Sequence, residues 1–197
     1  MEWKVLAEAV PGNLQALALA ASGADGLFAS VDSAHRALGV AVRTLRTIPP
    51  GPADGELGGA FASACAALEG AHRELARLDA VRFGAACAFD LYALLAGPYD
   101  ALPYRTWRGH SHDAGAAARD AAGRLLDAAS EARAAESLLR ASRSFPDGSL
   151  RWWSWRKAAR RLAIDAADNA KLALDAVRRT RDALVLESFD TGVMLNG

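Results

Sequence analysis

Cysteine is scarce in this 197-residue chain, which contains Cys65 and Cys87 and no other. The two lie 22 positions apart in a stretch that we predict to be one helix, and a rise of about 1.5 Å per residue separates them by roughly 33 Å. A disulfide cannot bridge that distance. We therefore interpret both as small buried apolar side chains rather than as a disulfide or a metal pair.

Isoleucine, valine and the aromatic residues are also few. Aromatic residues make up 7% of the chain, and alanine dominates a hydrophobic fraction of 52%. Alanine is the best helix former and is poor in strands, so this composition predicts an all-α protein. A chain of 197 residues can bury a substantial core, and we expect a single domain over residues 1–197.

Neither sign of charge is in excess, because 23 lysine and arginine residues balance 23 aspartate and glutamate residues. The molecule as a whole is therefore neither strongly basic, as dedicated nucleic-acid binders usually are, nor polyanionic. The longest uncharged stretch, residues 9–24, is too short and too interrupted by polar residues and breakers to span a membrane. The first ten residues of the chain, MEWKVLAEAV, have an acidic residue at position 2 and no basic n-region. The sequence therefore predicts no signal peptide and a cytoplasmic protein.

Proline and glycine concentrate at residues 48–55, 97–109 and 144–149, where they predict turns. Between these turns, apolar residues recur at alternating steps of three and four, the repeat of coiled-coil-like packing. The positions on this repeat are Leu17, Ala21, Ala24, Phe28, Val31, His35, Leu38, Val42 and Leu45 in the first helix; Leu57, Phe61, Ala64, Leu68, Ala71, Leu75 and Leu78 in the second; Ala114, Ala118, Ala121, Leu125, Ala128, Ala132, Ala135 and Leu139 in the third; and Trp152, Trp155, Ala159, Leu162, Ala166, Asn169, Ala173 and Ala176 in the fourth. The predicted helices cover about residues 12–48, 56–97, 111–143 and 150–187, with a short helical segment in residues 1–10 and a loose tail over residues 188–197. Short connections make neighbouring helices antiparallel, which predicts an up-down-up-down four-helix bundle.

Two carboxylate–histidine pairs suggest metal chemistry. Asp32 and His35 lie three positions apart and share a helix face. Glu69 and His72 repeat this spacing in the second helix, and folding about the turn brings both pairs to the same height. Such facing pairs resemble the di-iron carboxylate sites of ferritin-like proteins. The resemblance covers four residues, and the helical repeat places Glu69 near the outside of the seam. The alternative interpretation is inter-helix salt bridges, or a buried His35 that one carboxylate satisfies.

The stretch HSHD, residues 110–113, supplies too few ligands for a metal. Ser111 or Asp113 as the N-cap of the third helix explains it better. The sequence contains no glycine-rich phosphate loop, no Cys-x-x-Cys motif and no nucleophile elbow. It therefore identifies no active site and no cofactor. The metal site is the one alternative under which the protein would be an enzyme.

The stretch RWWSWRKAARR, Arg151 to Arg161, combines three tryptophans with five cations. Ser149 is a suitable N-cap for a helix that begins here, and the helical repeat places Trp152 and Trp155 on its buried seam. Trp153 then faces outward, and cations follow it at i+3, i+4 and i+7. The predicted partner-binding residues are Trp153, Arg156, Lys157, Arg160, Arg161 and Arg143.

Charge is unevenly distributed along the chain. Residues 1–100 hold 7 basic and 11 acidic residues, a net charge of −4, and residues 101–197 hold 16 basic and 12 acidic residues, a net charge of +4.

We therefore predict a non-enzymatic interaction or adaptor protein whose basic, tryptophan-bearing end binds an acidic partner protein or another anionic surface. Its alanine and leucine faces also allow a homodimer. The alternatives are the metal-dependent enzyme or store, a nucleic-acid-binding accessory protein, and a basic end that is only screened surface.

Overall fold

The computed structural model describes residues 23, 26–46, 53–96 and 102–196, and these ranges contain helices and turns but no strand. The helices pack against one another as an all-α four-helix bundle, so the predicted fold class is confirmed. Their bounds are 26–46 for the described part of α1, Ala53–Ala96 for α2, Leu102–Ser142 for α3 and Leu150–Asn196 for α4. The segment predicted for residues 1–10 and the predicted start of the first helix lie outside the described residues.

Two helices extend beyond their predicted bounds. α3 begins at Leu102 rather than near residue 111. Pro103 permits this start, because it falls in the first turn, where the missing backbone N–H costs little. Gly109 lies inside α3, where a glycine costs about 1 kcal/mol relative to alanine; the burial of Tyr104 and Trp107 offsets this. α4 continues to Asn196, so the predicted loose tail is helical as far as that residue.

The contacts within the chain divide it into two compact units, and the single domain over residues 1–197 stays a prediction. Unit 1 comprises Met1–Phe28, Glu74–Asp120 and Asp175–Gly197, and unit 2 comprises Ala29–Arg73 and Ala121–Leu174. α2, α3 and α4 each contribute residues to both units. Unit 2 contains 14 basic and 10 acidic residues, a net charge of +4, whereas unit 1 contains 9 and 13, a net charge of −4.

The buried stripe of α3 follows the predicted repeat without a break. Every apolar position predicted for it is buried, namely Ala114, Ala118, Ala121, Leu125, Ala128, Ala132, Ala135 and Leu139. The predicted seam of α2 is likewise buried from Leu57 to Leu75, whereas its last predicted residue, Leu78, is half-buried. In α3, periodicity was therefore sufficient to identify the buried face.

In α1 and α4 the buried stripe is displaced by one residue at several positions. The helical repeat predicted that His35, Val42, Trp155, Leu162 and Asn169 would be buried. The buried residues are instead their chain neighbours, Ala34, Ala41, Arg156, Ala163 and Ala170. At the four alanine positions, the small side chain lets two helix axes approach each other closely, so the bulkier neighbour lies at the flank of the contact. Asn169 accepts a hydrogen bond from Arg124 and donates one to Glu131 there.

The core of unit 1 is richer in aromatic side chains than that of unit 2, whose α4 contributes mainly alanine. The ring centroid of buried Trp107 lies 4.6 Å from that of Phe89 and 5.6 Å from that of Tyr104. Buried charged residues accompany this cluster, namely Arg82 on α2 and Glu187 on α4. No helix in the described ranges is long and apolar enough to cross a membrane.

The turn between α3 and α4 sets where α4 begins. Gly148 adopts a φ of 78°, a left-handed conformation that glycine enters without steric cost. The side-chain oxygen of the next residue, Ser149, accepts a hydrogen bond of 3.2 Å from the backbone N–H of Trp152. Ser149 is thus the N-cap of α4, as predicted.

Candidate functional site

One face of the first three turns of α4 is exposed, basic and partly apolar. Trp153 is 53% exposed and Leu150 is 85% exposed. Lys157 and Arg161 are also exposed, and the spacing of these four residues places them within roughly 80° around the helix axis. We call Leu150, Trp153, Lys157 and Arg161 the basic aromatic surface. Arg143, in the preceding turn, is exposed as well.

Arg156 does not belong to this surface, and its predicted exposure is wrong. It is 4% exposed, and its guanidinium carbon lies 4.5 Å from the centroid of the buried Trp152 ring. Such a cation–π contact offsets part of the cost of burying the charge. Arg160 is half-buried. The other predicted partner-binding residues, Trp153, Lys157, Arg161 and Arg143, are exposed.

Aromatic contacts hold this end of α4 in place. Trp152 is buried as predicted, and its ring meets that of Trp153 edge-on with 4.7 Å between centroids. Trp155 was predicted on the seam but is 36% exposed, with its ring centroid 6.1 Å from that of Phe145 in the turn. Because Trp153 rests on a buried ring, its exposed face is presented with little freedom to reorient.

The electrostatics of the α4 N-terminus favour an anion. The first turn contains no acidic residue, and Asp165 is the first carboxylate of the helix. The helix macrodipole already places a partial positive charge at this end, so the clustered cations raise the local potential further. A carboxylate from outside the helix would therefore be stabilised here.

The predicted metal ligands make other interactions. Asp32 forms an ion pair of 2.6 Å with Arg36, and Glu69 forms one with Arg133. The ring Nδ1 of His35 lies 3.0 Å from the backbone oxygen of Ala167. Across the described ranges, no three or more histidine, cysteine, aspartate or glutamate side chains form a group that could hold a metal ion. Asp32, His35, Glu69 and His72 therefore do not converge.

The predictions for HSHD and for one cysteine are also corrected. Ser111 and Asp113 lie inside α3, so neither is its N-cap, and Nδ1 of His110 lies 2.6 Å from a carboxylate oxygen of Asp190. Cys87 is exposed rather than buried. Cys65 is buried as predicted, and burial raises the pKa of its thiol.

Unit 1 contains a cleft between α2 and α3 that the sequence did not indicate. It has a volume of about 240 Å³, and we call it the arginine cleft. Its walls include Arg82, Phe83, Trp107, Ser111, Gly115 and Arg119. Arg82 is buried, with Nε donating to Asp79 at 2.9 Å and Nη1 donating to the backbone oxygen of Ser111 at 3.1 Å.

A buried carboxyl group of α4 interacts with the same residues. Glu187 is 0% exposed, and burial raises its pKa, while the neighbouring Ser111 side chain and the charges of Arg82 and His110 oppose that rise. Both Arg82 and Glu187 continue the three-and-four spacing of the apolar residues in their helices. A charged residue in phase with a predicted seam is the signal that could have indicated this region.

No family model matches the chain, and a search of curated proteins finds no match. The basic aromatic surface and the arginine cleft are therefore the two features that bear on its function.

Proposed function

We propose that this protein is a non-enzymatic interaction module whose basic aromatic surface binds an acidic segment of a partner protein. The observation that supports this most directly is the exposed face of α4, on which Trp153 lies beside Leu150, Lys157 and Arg161. Tryptophan supplies a large contact area and is enriched among residues that dominate binding energy. The cations supply charge complementarity and accelerate association.

An acidic protein segment with apolar residues suits this surface better than a nucleic acid does. The exposed apolar area of Leu150 and Trp153 rewards a ligand with apolar side chains of its own. A phosphate backbone needs many cations for tight binding at physiological salt, and its affinity falls steeply as salt rises. Lys157 and Arg161 provide few such contacts on this face.

The proposal is tested with a fluorescein-labelled peptide rich in glutamate and phenylalanine, followed by fluorescence anisotropy. We expect Lys157→Glu and Trp153→Ala each to weaken binding about tenfold, the scale of a hot-spot contact. The matched controls are Lys171→Glu and Leu172→Ala, which make the same kinds of change at exposed positions farther along α4. Both controls should bind within about twofold of the unmodified protein.

Two results would contradict the proposal. Equal losses in Lys157→Glu and Lys171→Glu would mean that net charge alone governs binding. Tighter binding to a single-stranded oligonucleotide than to the peptide, with a steep salt dependence, would instead support the nucleic-acid alternative.

A further inference from the structure

We propose that the arginine cleft of unit 1 binds a small organic oxyanion, a carboxylate or phosphate ester on a compact apolar body, between Arg82 and Arg119. This site is separate from the basic aromatic surface, whose residues belong to unit 2, and the inference does not depend on the proposed function.

The two guanidinium groups approach the same point on α3. A Cβ atom built on Gly115 would lie 2.8 Å from Nη2 of Arg82 and 3.4 Å from Nη1 of Arg119. Gly115 is buried, and the lack of a side chain there leaves room for both nitrogens beside the helix. Two convergent guanidinium groups are a geometry suited to carboxylate and phosphate oxygens.

Hydrogen bonds already order the side chain of Arg82. Its Nε is bonded to Asp79, and its Nη1 lies within hydrogen-bond distance of both the backbone oxygen and the hydroxyl of Ser111. Its Nη2 is the guanidinium nitrogen nearest Gly115. A donor whose side chain is already ordered loses little entropy when a ligand binds.

The remaining charges of the cleft leave it receptive to an anion. Arg119 is exposed. Asp90 is the acidic residue of the cleft wall, and it accepts a hydrogen bond from the hydroxyl of Tyr104. Arg108 also lines the cleft, so the arginines of its wall, Arg82, Arg108 and Arg119, outnumber the carboxylate.

The apolar part of the wall indicates what the anion is attached to. Phe83, Ala86 and Trp107 line the cleft, and Phe83 is 63% exposed. An apolar cavity of about 150 Å³ is enough to hold benzene, so a cleft of about 240 Å³ accommodates a single ring with its anionic group. The ligand would cover Phe83 and place its oxygens at Arg82 and Arg119.

Isothermal titration calorimetry with benzoate and with phenyl phosphate tests the proposal, and benzyl alcohol serves as the neutral comparison. We expect at least one of the two anions to bind about tenfold more tightly than the alcohol, the scale of a charge-assisted hydrogen bond. Preference for benzoate identifies a carboxylate ligand, and preference for phenyl phosphate identifies a phosphate ester.

Two variants locate the site. Gly115→Ala introduces a methyl group against Nη2 of Arg82 while improving helix propensity, and Gly123→Ala makes the same change on α3 where nothing lies within 4 Å. Arg119→Gln removes one cation, with Arg105→Gln, also exposed on α3, as its control. We expect Gly115→Ala and Arg119→Gln to weaken anion binding about tenfold and the controls to leave it unchanged.

The inference is overturned if neither anion binds more tightly than benzyl alcohol, or if Gly115→Ala binds as tightly as Gly123→Ala. Anion binding that is lost in Lys157→Glu and kept in Arg119→Gln would place the anion on the basic aromatic surface and would also overturn it. Failure here leaves the peptide-binding result untouched, because the two assays use different probes and different variants.

Discussion

In the part of the chain that the structure describes, three charged side chains occupy the buried stripes of the helices, and each is accommodated differently. Arg82 is bonded to Asp79 and Ser111, and Arg156 lies over the ring of Trp152. At Glu187, burial disfavours the charged carboxylate and raises its pKa, so the neutral form is the one that burial favours. At the residue scale, burial in this protein therefore does not require an apolar side chain, only one whose charge is compensated or neutralised.

Glu187→Gln should make the protein more stable at pH 7 to 8 and change its stability little near pH 4. The native pKa of Glu187 is raised above the ordinary value of 4.5, so the native state binds this proton more tightly than the unfolded state does. Its stabilising contribution is complete below pH 4.5 and is lost as pH rises through the native pKa. Glutamine keeps the size of the side chain without the charge.

Urea unfolding across this pH range measures the effect, and Glu74→Gln, whose carboxylate is 47% exposed, is the control. A variant Glu187→Gln whose stability follows the same pH dependence as the unmodified protein would show that this carboxyl group is not the one responsible.

Capping residues determine where α4 begins. Ser149 and Gly148 together end the turn and start the helix, and both roles are readable from residue type. The start of α3 was not readable in this way, because Pro103 is compatible both with a loop and with a first helical turn. The burial of Tyr104 and Trp107 favours the helical conformation. At the element scale, a breaker residue therefore sets a boundary only where tertiary packing does not oppose it.

Ser149→Ala should lower the free energy of unfolding by about 1 kcal/mol, because it leaves an N–H group at the start of α4 without its acceptor. Ser154→Ala is the matched control on the same helix. Its hydroxyl donates to the backbone oxygen of Leu150 inside the helix, an interaction that stabilises little, and alanine is the better helix former. Equal losses in the two variants, measured by urea unfolding, would contradict the capping role.

The bundle as a whole depends on few large side chains. Among the described residues, alanine is the commonest buried apolar residue, and the largest fully buried apolar side chains are Trp107, Trp152, Tyr104, Phe61, Leu38, Leu68, Leu75, Leu125, Leu139 and Leu184. A methyl group buries little area, so each of these larger side chains carries a correspondingly large share of the hydrophobic stabilisation.

Two adjacent leucines of α3 test this directly. Leu125 is 0% exposed and Leu126 is 51% exposed. We expect Leu125→Ala to lower the free energy of unfolding by about 2 to 5 kcal/mol and Leu126→Ala to change it by less than about 0.5 kcal/mol. Similar effects of the two substitutions in urea unfolding would mean that the buried stripe assigned to α3 is wrong.

Composition and periodicity were enough to predict four helices, the buried face of α3 and the cap of α4, because these depend on residues within one turn of each other. They did not distinguish Trp155 from Arg156 as the buried residue, since both are close in angle to the seam and the neighbouring helices determine which one fits. Nor did they indicate the arginine cleft. Arg82 and Arg119 lie on different helices, and their convergence at Gly115 depends on the rotation and axial register of α2 against α3, which no spacing within either helix encodes.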